Sequence, residues 1–65
     1  MTERRVELVI ARARKNMSQW KLSYEAGMSR TKFWEIENGF RDPTPEEKQK
    51  IAEILGVMPE DVFEK

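Results

Sequence analysis

The stretch from Met17 to Gly39, MSQWKLSYEAGMSRTKFWEIENG, is cut by glycine at 27 and again at 39. Inside a helix each glycine would cost about 1 kcal/mol relative to alanine. Just past a helix end, where φ turns positive, glycine is the favoured residue. A serine precedes each segment so defined, Ser18 before Gln19 and Ser29 before Arg30. Its hydroxyl can accept a hydrogen bond from one of the early amides that a helix leaves unpaired. Leu22 and Ala26, four apart, share one face of the first segment, and Phe33 and Ile36, three apart, share the inner face of the second. The stretch reads as a helix over 19–26, a glycine turn, and a second helix over 30–37 closed by Asn38-Gly39.

The flanks add three more helices. Residues 3–15 form the first, with Thr2 as a candidate cap. Leu8, Ala11 and the Lys15 stem mark one side, and Val6, Val9, Ile10 and Ala13 mark nearly the opposite side. A helix apolar on two sides is covered on both or has a partner. Internal packing, with Val62 and Phe63 folding back, is the expectation, and a second subunit is the alternative. After a loop at Gly39–Pro43, Thr44-Pro45-Glu46-Glu47 gives a cap, a proline at the first helical position and a T-x-x-E capping box. This starts a helix over 45–55 with Ile51, Ala52 and Leu55 inward and Gly56 as its stop. Pro59-Glu60-Asp61 opens a last helix over 59–63. The expected fold class is all-α with five helices, in a single domain spanning 1–65, without repeats or linkers.

Sixty-five residues bury only about 60% of their unfolded surface, which leaves room for one modest core and no deep catalytic cleft. The chain has no cysteine and no histidine. Disulfides, thiolate metal sites and the usual general base are therefore absent. No nucleophile–base pair, metal-ligand cluster or phosphate loop appears, so the expectation is not an enzyme, with no metal, cofactor or small-molecule ligand. There is no apolar run of about 18 residues to span a membrane and no signal peptide, so a cytoplasmic protein is the default.

Two short helices across a glycine turn are the sequence pattern of a helix-turn-helix, whose usual task is to lay its second helix in the DNA major groove. A net charge of zero argues against nucleic acid, but the distribution argues for it. Residues 1–41 carry nine basic and five acidic groups, a balance of +4, whereas residues 42–65 carry three basic and seven acidic groups, a balance of −4. Attraction to phosphate follows the local field, and the basic half holds the helix-turn-helix.

The combination of M-S-Q at 17–19, A-G-M-S at 26–29, I-E-N-G at 36–39, R-x-P at 41–43 and I-A-x-I-L-G at 51–56 resembles the Cro/phage-repressor helix-turn-helix family, also called xenobiotic-response-element-like regulators. The resemblance covers nearly the whole chain. It implies a five-helix lambda-repressor-like fold and a sequence-specific DNA-binding transcriptional regulator, most simply a repressor. It further implies that Gln19 contacts a phosphate and braces the second helix of the motif. Arg12 and Glu37 correspond to a largely buried structural salt bridge. Asn38 and the amides near Gly39 and Phe40 correspond to a phosphate-gripping turn.

Base reading is assigned to Arg30, Thr31, Trp34 and Glu35. Arg30 can bond guanine O6 and N7, Glu35 can accept from cytosine N4, and Thr31 can offer a hydroxyl or touch a thymine methyl. Ser29, Lys32 and Arg41 are assigned to phosphates, which fix register without carrying sequence information. Arg4 and Arg5 offer a short basic arm. The chain departs from the family pattern at Ser23, where alanine is usual, at Lys48, where an apolar residue is common, and at Trp20 and Trp34, while Glu35 repels phosphate.

The implied partner is a palindromic duplex operator bound by a homodimer, because one such domain contacts few base pairs. The helix face of Val6, Val9 and Ile10 and the segment around Phe63 are the candidate dimer surfaces. A rival reading keeps the fold as a protein-interaction module, with the exposed pair Trp20 and Tyr24 as its surface. An antitoxin or mobile-element control protein is a biological context of the first reading.

Overall fold

The computed structural model describes residues 4–63. They form five helices, α1 Val6–Arg14, α2 Gln19–Glu25, α3 Arg30–Glu37, α4 Pro45–Leu55 and α5 Pro59–Phe63, with no strand among the described residues. The expected all-α, five-helix architecture is what the chain adopts.

Local chemistry sets the boundaries. Ser18 Oγ accepts from the Lys21 amide at 3.0 Å and Ser29 Oγ from the Lys32 amide at 3.1 Å. Thr44 and Glu47 form the reciprocal capping box with Pro45 behind the cap. At the end of α2, Gly27 has φ +73°, and the amides of Gly27 and Met28 return to the carbonyls of Tyr24 and Ser23. This double closure satisfies the last orphan carbonyls and turns the chain into α3. A comparable closure ends α1 at Asn16, φ +56°, where the Met17 amide reaches the Arg12 carbonyl.

α1 starts at Val6, later than the sequence reading placed it, and the Thr2 cap lies outside the described residues. Arg5 is not helical because its amide donates to the Glu37 carbonyl at 2.8 Å. Its guanidinium reaches Asp42 Oδ1 at 2.9 Å and the Arg41 carbonyl at 3.3 Å, and lies 6.0 Å from the centre of the Phe63 ring. Arg5 is thus a clasp between α1, the end of α3 and α5, not part of a loose basic arm.

The core is one cluster of Leu8, Ala11, Leu22, Ala26, Phe33, Ile36, Ile51, Leu55 and Val62, with Met17, Met28, Ile54, Val57 and Phe63 packed against it. Fully burying each of its large side chains is worth about 1.5–3 kcal/mol. α1 packs on α5, α2 on α3, and α4 on α5. Ser23 is buried between helices, and its hydroxyl donates to the Trp20 carbonyl at 2.8 Å, so the polar atom is satisfied.

The second apolar side of α1 is not covered as expected. Val62 is buried and Phe63 half-buried, but Val6, Ile10 and Ala13 stay exposed and only Val9 is half-buried. α5 has five residues. With Val62 and Phe63 packed on the core, its remaining side chains, Pro59, Glu60 and Asp61, leave Val6, Ile10 and Ala13 uncovered.

Candidate nucleic-acid interface

α2 and α3 are held at a fixed angle by a buried polar cluster. Glu37, near the end of α3, is 1% exposed. Arg12 from α1 meets it through two bonds, Nε to Oε2 at 2.8 Å and Nη2 to Oε1 at 3.1 Å. Gln19 at the start of α2 donates from Nε2 to Oε1 at 2.6 Å, and Arg12 Nη1 donates to the Met17 carbonyl at 2.9 Å. One carboxylate therefore receives donors from two other helices. A buried charge this well paired is costly to break on one side.

With Phe33 and Ile36 in the core, the opposite side of α3 is open. Arg30, Thr31 and Trp34 are exposed there, and with Gln19 they line a cleft of about 290 Å³. Arg30 and Trp34 are four apart and Thr31 and Trp34 three apart, which places them on one strip. The strip begins at the amino end of α3, which carries partial positive charge. Arg30 has no hydrogen-bond or ion-pair partner among the described residues, so its guanidinium fork is available.

The other site residues are engaged within the chain. Glu35 Oε1 accepts from Arg41 Nε at 2.9 Å, joining a residue expected to read bases with one expected to touch phosphate. Lys32 is paired with Glu47 of α4. Lys32 and the Thr44 amide hold the Glu47 carboxyl below its ordinary value of 4.5. Asn38 donates from Nδ2 to the Trp34 carbonyl at 2.9 Å. The amides of Gly39 and Phe40 donate to the carbonyls of Ile36 and Glu35 at 3.3 and 2.8 Å. Both close the end of α3, so a phosphate that sought them would have to open that end. Ser29 remains at its cap, with its hydroxyl proton still to give.

Of two aromatic stacks, one was not foreseen from sequence. The Phe40 ring lies on the Trp34 indole, with centroids 5.6 Å apart and planes within 12°. Gly39, φ +82°, turns the chain so that Phe40 comes back along α3. A separation of six residues is not a helical repeat, so no spacing rule signals the pair. On α2, Trp20 and Tyr24 stack at 5.7 Å and 12°, and this contact of residues four apart is legible as one.

Comparison with known proteins agrees with this architecture. The family model described as a helix-turn-helix domain matches residues 5–64. The control protein C.BamHI of Bacillus amyloliquefaciens is 38% identical over 52 residues, which cover 80% of this chain and 64% of that protein. This chain therefore spans somewhat less than two thirds of the length of that relative. The restriction-modification controller protein C.AhdI of Aeromonas hydrophila superposes with a TM-score of 0.80 at 28% identity, over 88% of this chain and 86% of that one. The clp gene regulator ClgR of Corynebacterium glutamicum shares the fold, with a TM-score of 0.82 at 24% identity over 88% of this chain and 61% of that one. The chain belongs to the helix-turn-helix domain family. Among the described residues no group of His, Cys, Asp or Glu is placed to hold a metal ion, and no helix is long and apolar enough to cross a membrane.

Proposed function

We propose that the protein is a sequence-specific DNA-binding transcriptional regulator that occupies an operator as a repressor or controller. The observation that carries this reading is the open strip of Arg30, Thr31 and Trp34 at the amino end of α3, braced from behind by the Gln19–Glu37–Arg12 cluster. α3 enters the major groove, Arg30 reads a guanine edge, and Thr31 and Glu35 read neighbouring positions. Gln19, Ser29 and Asn38 approach phosphates. Arg41 does so on leaving Glu35, which a largely exposed ion pair allows at little cost, and Lys32 does so by parting from the half-buried Glu47. Binding is by a homodimer on two half-sites about one helical turn apart, in the cytoplasm. The likeness to C.BamHI and C.AhdI supports a controller of a mobile or restriction-modification locus as the biological setting.

Selection of bound sequences from a random duplex pool at about 0.15 M salt tests this. Enrichment of a palindrome with a fixed G·C pair in each half-site, relaxed by Arg30→Ala, is the expected result. A strictly monomeric protein, both free and on DNA, would overturn the dimer. Absence of enrichment, with weak binding abolished by salt, would transfer the function to a second reading, a protein-interaction module. The observation favouring that reading is the stacked Trp20–Tyr24 pair, 59% and 73% exposed on α2.

A further inference from the structure

We propose that Trp34 and Phe40 form an aromatic platform that recognises a C5-methyl group on a pyrimidine in the major groove, with Phe40 as the residue that positions Trp34. This rests on the DNA-binding reading above and names what that site selects.

The argument starts from an anomaly of exposure. Trp34 is 45% exposed and Phe40 60% exposed, next to Arg30 and Thr31 on the strip. A free indole on a helix surface samples several rotamers and orders only at an entropic cost. Here the Phe40 ring, stacked at 5.6 Å and 12°, restricts it before any ligand arrives. Phe40 is itself fixed. Its amide is bonded to the Glu35 carbonyl, Gly39 holds the left-handed turn, and the Arg5–Asp42 pair ties down the loop that follows. The chain thus spends a glycine turn and an ordered loop on holding one apolar surface in the middle of a polar strip.

The major groove offers an apolar surface one partner. Its base edges are hydrogen-bond donors and acceptors except at the C5-methyl group of thymine. Cytosine methylated at C5 presents the same group at the same ring position, so the shared chemistry is a methyl on a pyrimidine C5. Neither aromatic ring carries an acceptor with which to read the exocyclic amine of cytosine. The indole N–H of Trp34 remains free to donate to a neighbouring acceptor.

The test is a selection from two random duplex pools, one with thymidine and one with deoxyuridine throughout, followed by anisotropy titrations. The titrations use the enriched duplex with thymine, uracil, cytosine or 5-methylcytosine at one position in turn. The expected result is a thymine preference in the first pool at a fixed place in each half-site, lost in the second. The measured Kd should rise about fourfold for each methyl removed, the value of one buried methyl group. Trp34→Ala and Phe40→Ala should each bring the thymine-to-uracil ratio near one, and Phe40→Tyr, which keeps the ring, should preserve it. A gain of 5-methylcytosine over cytosine extends the specificity to methylated cytosine, and its absence restricts it to thymine. Equal binding of thymine and uracil at every position overturns the platform. So does a ratio unchanged in both alanine variants while they weaken all duplexes alike, because that would be a merely structural role. Absence of enrichment in both pools overturns the DNA reading itself, and the platform with it.

Discussion

Gln19 and Glu37 are joined by a 2.6 Å hydrogen bond in which the α2 carboxamide donates to the same carboxylate that Arg12 grips from α1. Three helices therefore meet on one buried charge. Removing the cation leaves that charge unpaired, so Arg12→Met is expected to cost about 3–5 kcal/mol. Arg12→Met with Glu37→Met removes both charges and should recover much of the loss. Urea denaturation of the two variants checks this, and equal losses would contradict it.

Gly27 carries a conformational demand of a different kind. At φ +73° a Cβ would meet only Lys50 Nζ, at 3.8 Å, an ordinary contact. Gly27→Ala is thus penalised by its backbone alone, by about 1–2 kcal/mol. Gly27→Asn should cost less, because asparagine tolerates the left-handed region better. Thermal unfolding of the two variants should rank them in that order.

The acid limb of stability should report the α4 capping box. Glu47 has its carboxyl held below 4.5 by Lys32 and by the Thr44 amide. The folded chain therefore binds this proton less readily than the unfolded one. The stabilisation is fully present above about pH 4.5 and is lost as pH falls through the lower folded value. Glu47→Gln should flatten this part of the stability–pH curve, and Thr44→Ala should cost about 1 kcal/mol near neutrality through the lost cap. Denaturation midpoints between pH 3 and 7 (about the span of the carboxylate titration) distinguish the two effects.

These predictions rest on features that differ in how openly the sequence states them. Ser18, Ser29 and the Thr44–Glu47 box announce helix starts because capping is local chemistry, completed within three residues. Leu22, Phe33, Ile36, Ile51 and Leu55 announce the core by their period. The start of α1 is hidden because the Glu37 carbonyl, from another helix, takes the Arg5 amide. The engagement of Lys32 by Glu47 and the return of Phe40 onto Trp34 are tertiary events with no periodic signature. So is the exposure of Val6 and Ile10, which depends on how little a five-residue α5 can cover. The strip on α3 follows from the period of its inner face. Which of its residues are free for a ligand depends on ion pairs that only the fold brings together.

The Glu35–Arg41 pair leads to the last prediction. Its partners are 32% and 51% exposed, so in the free protein it is worth little, at most about 1 kcal/mol. Its consequence for DNA is larger, because it places a carboxylate beside the strip and occupies a cation that would otherwise meet phosphate. Glu35→Ala removes the negative charge and releases Arg41. On nonspecific duplex, where Glu35 has no base to read and keeps Arg41, it should therefore raise affinity and steepen the salt dependence of binding by about one counterion, since one more phosphate is neutralised. Specific binding should lose its preference at the base that Glu35 reads. Arg41→Ala should do the reverse for nonspecific duplex, lowering its affinity and leaving the salt slope no steeper. Titrations of both variants on one nonspecific duplex across a salt series measure these effects. If Glu35→Ala leaves nonspecific affinity and salt slope unchanged, Arg41 is not a latent phosphate ligand and the pair serves only to close the end of α3.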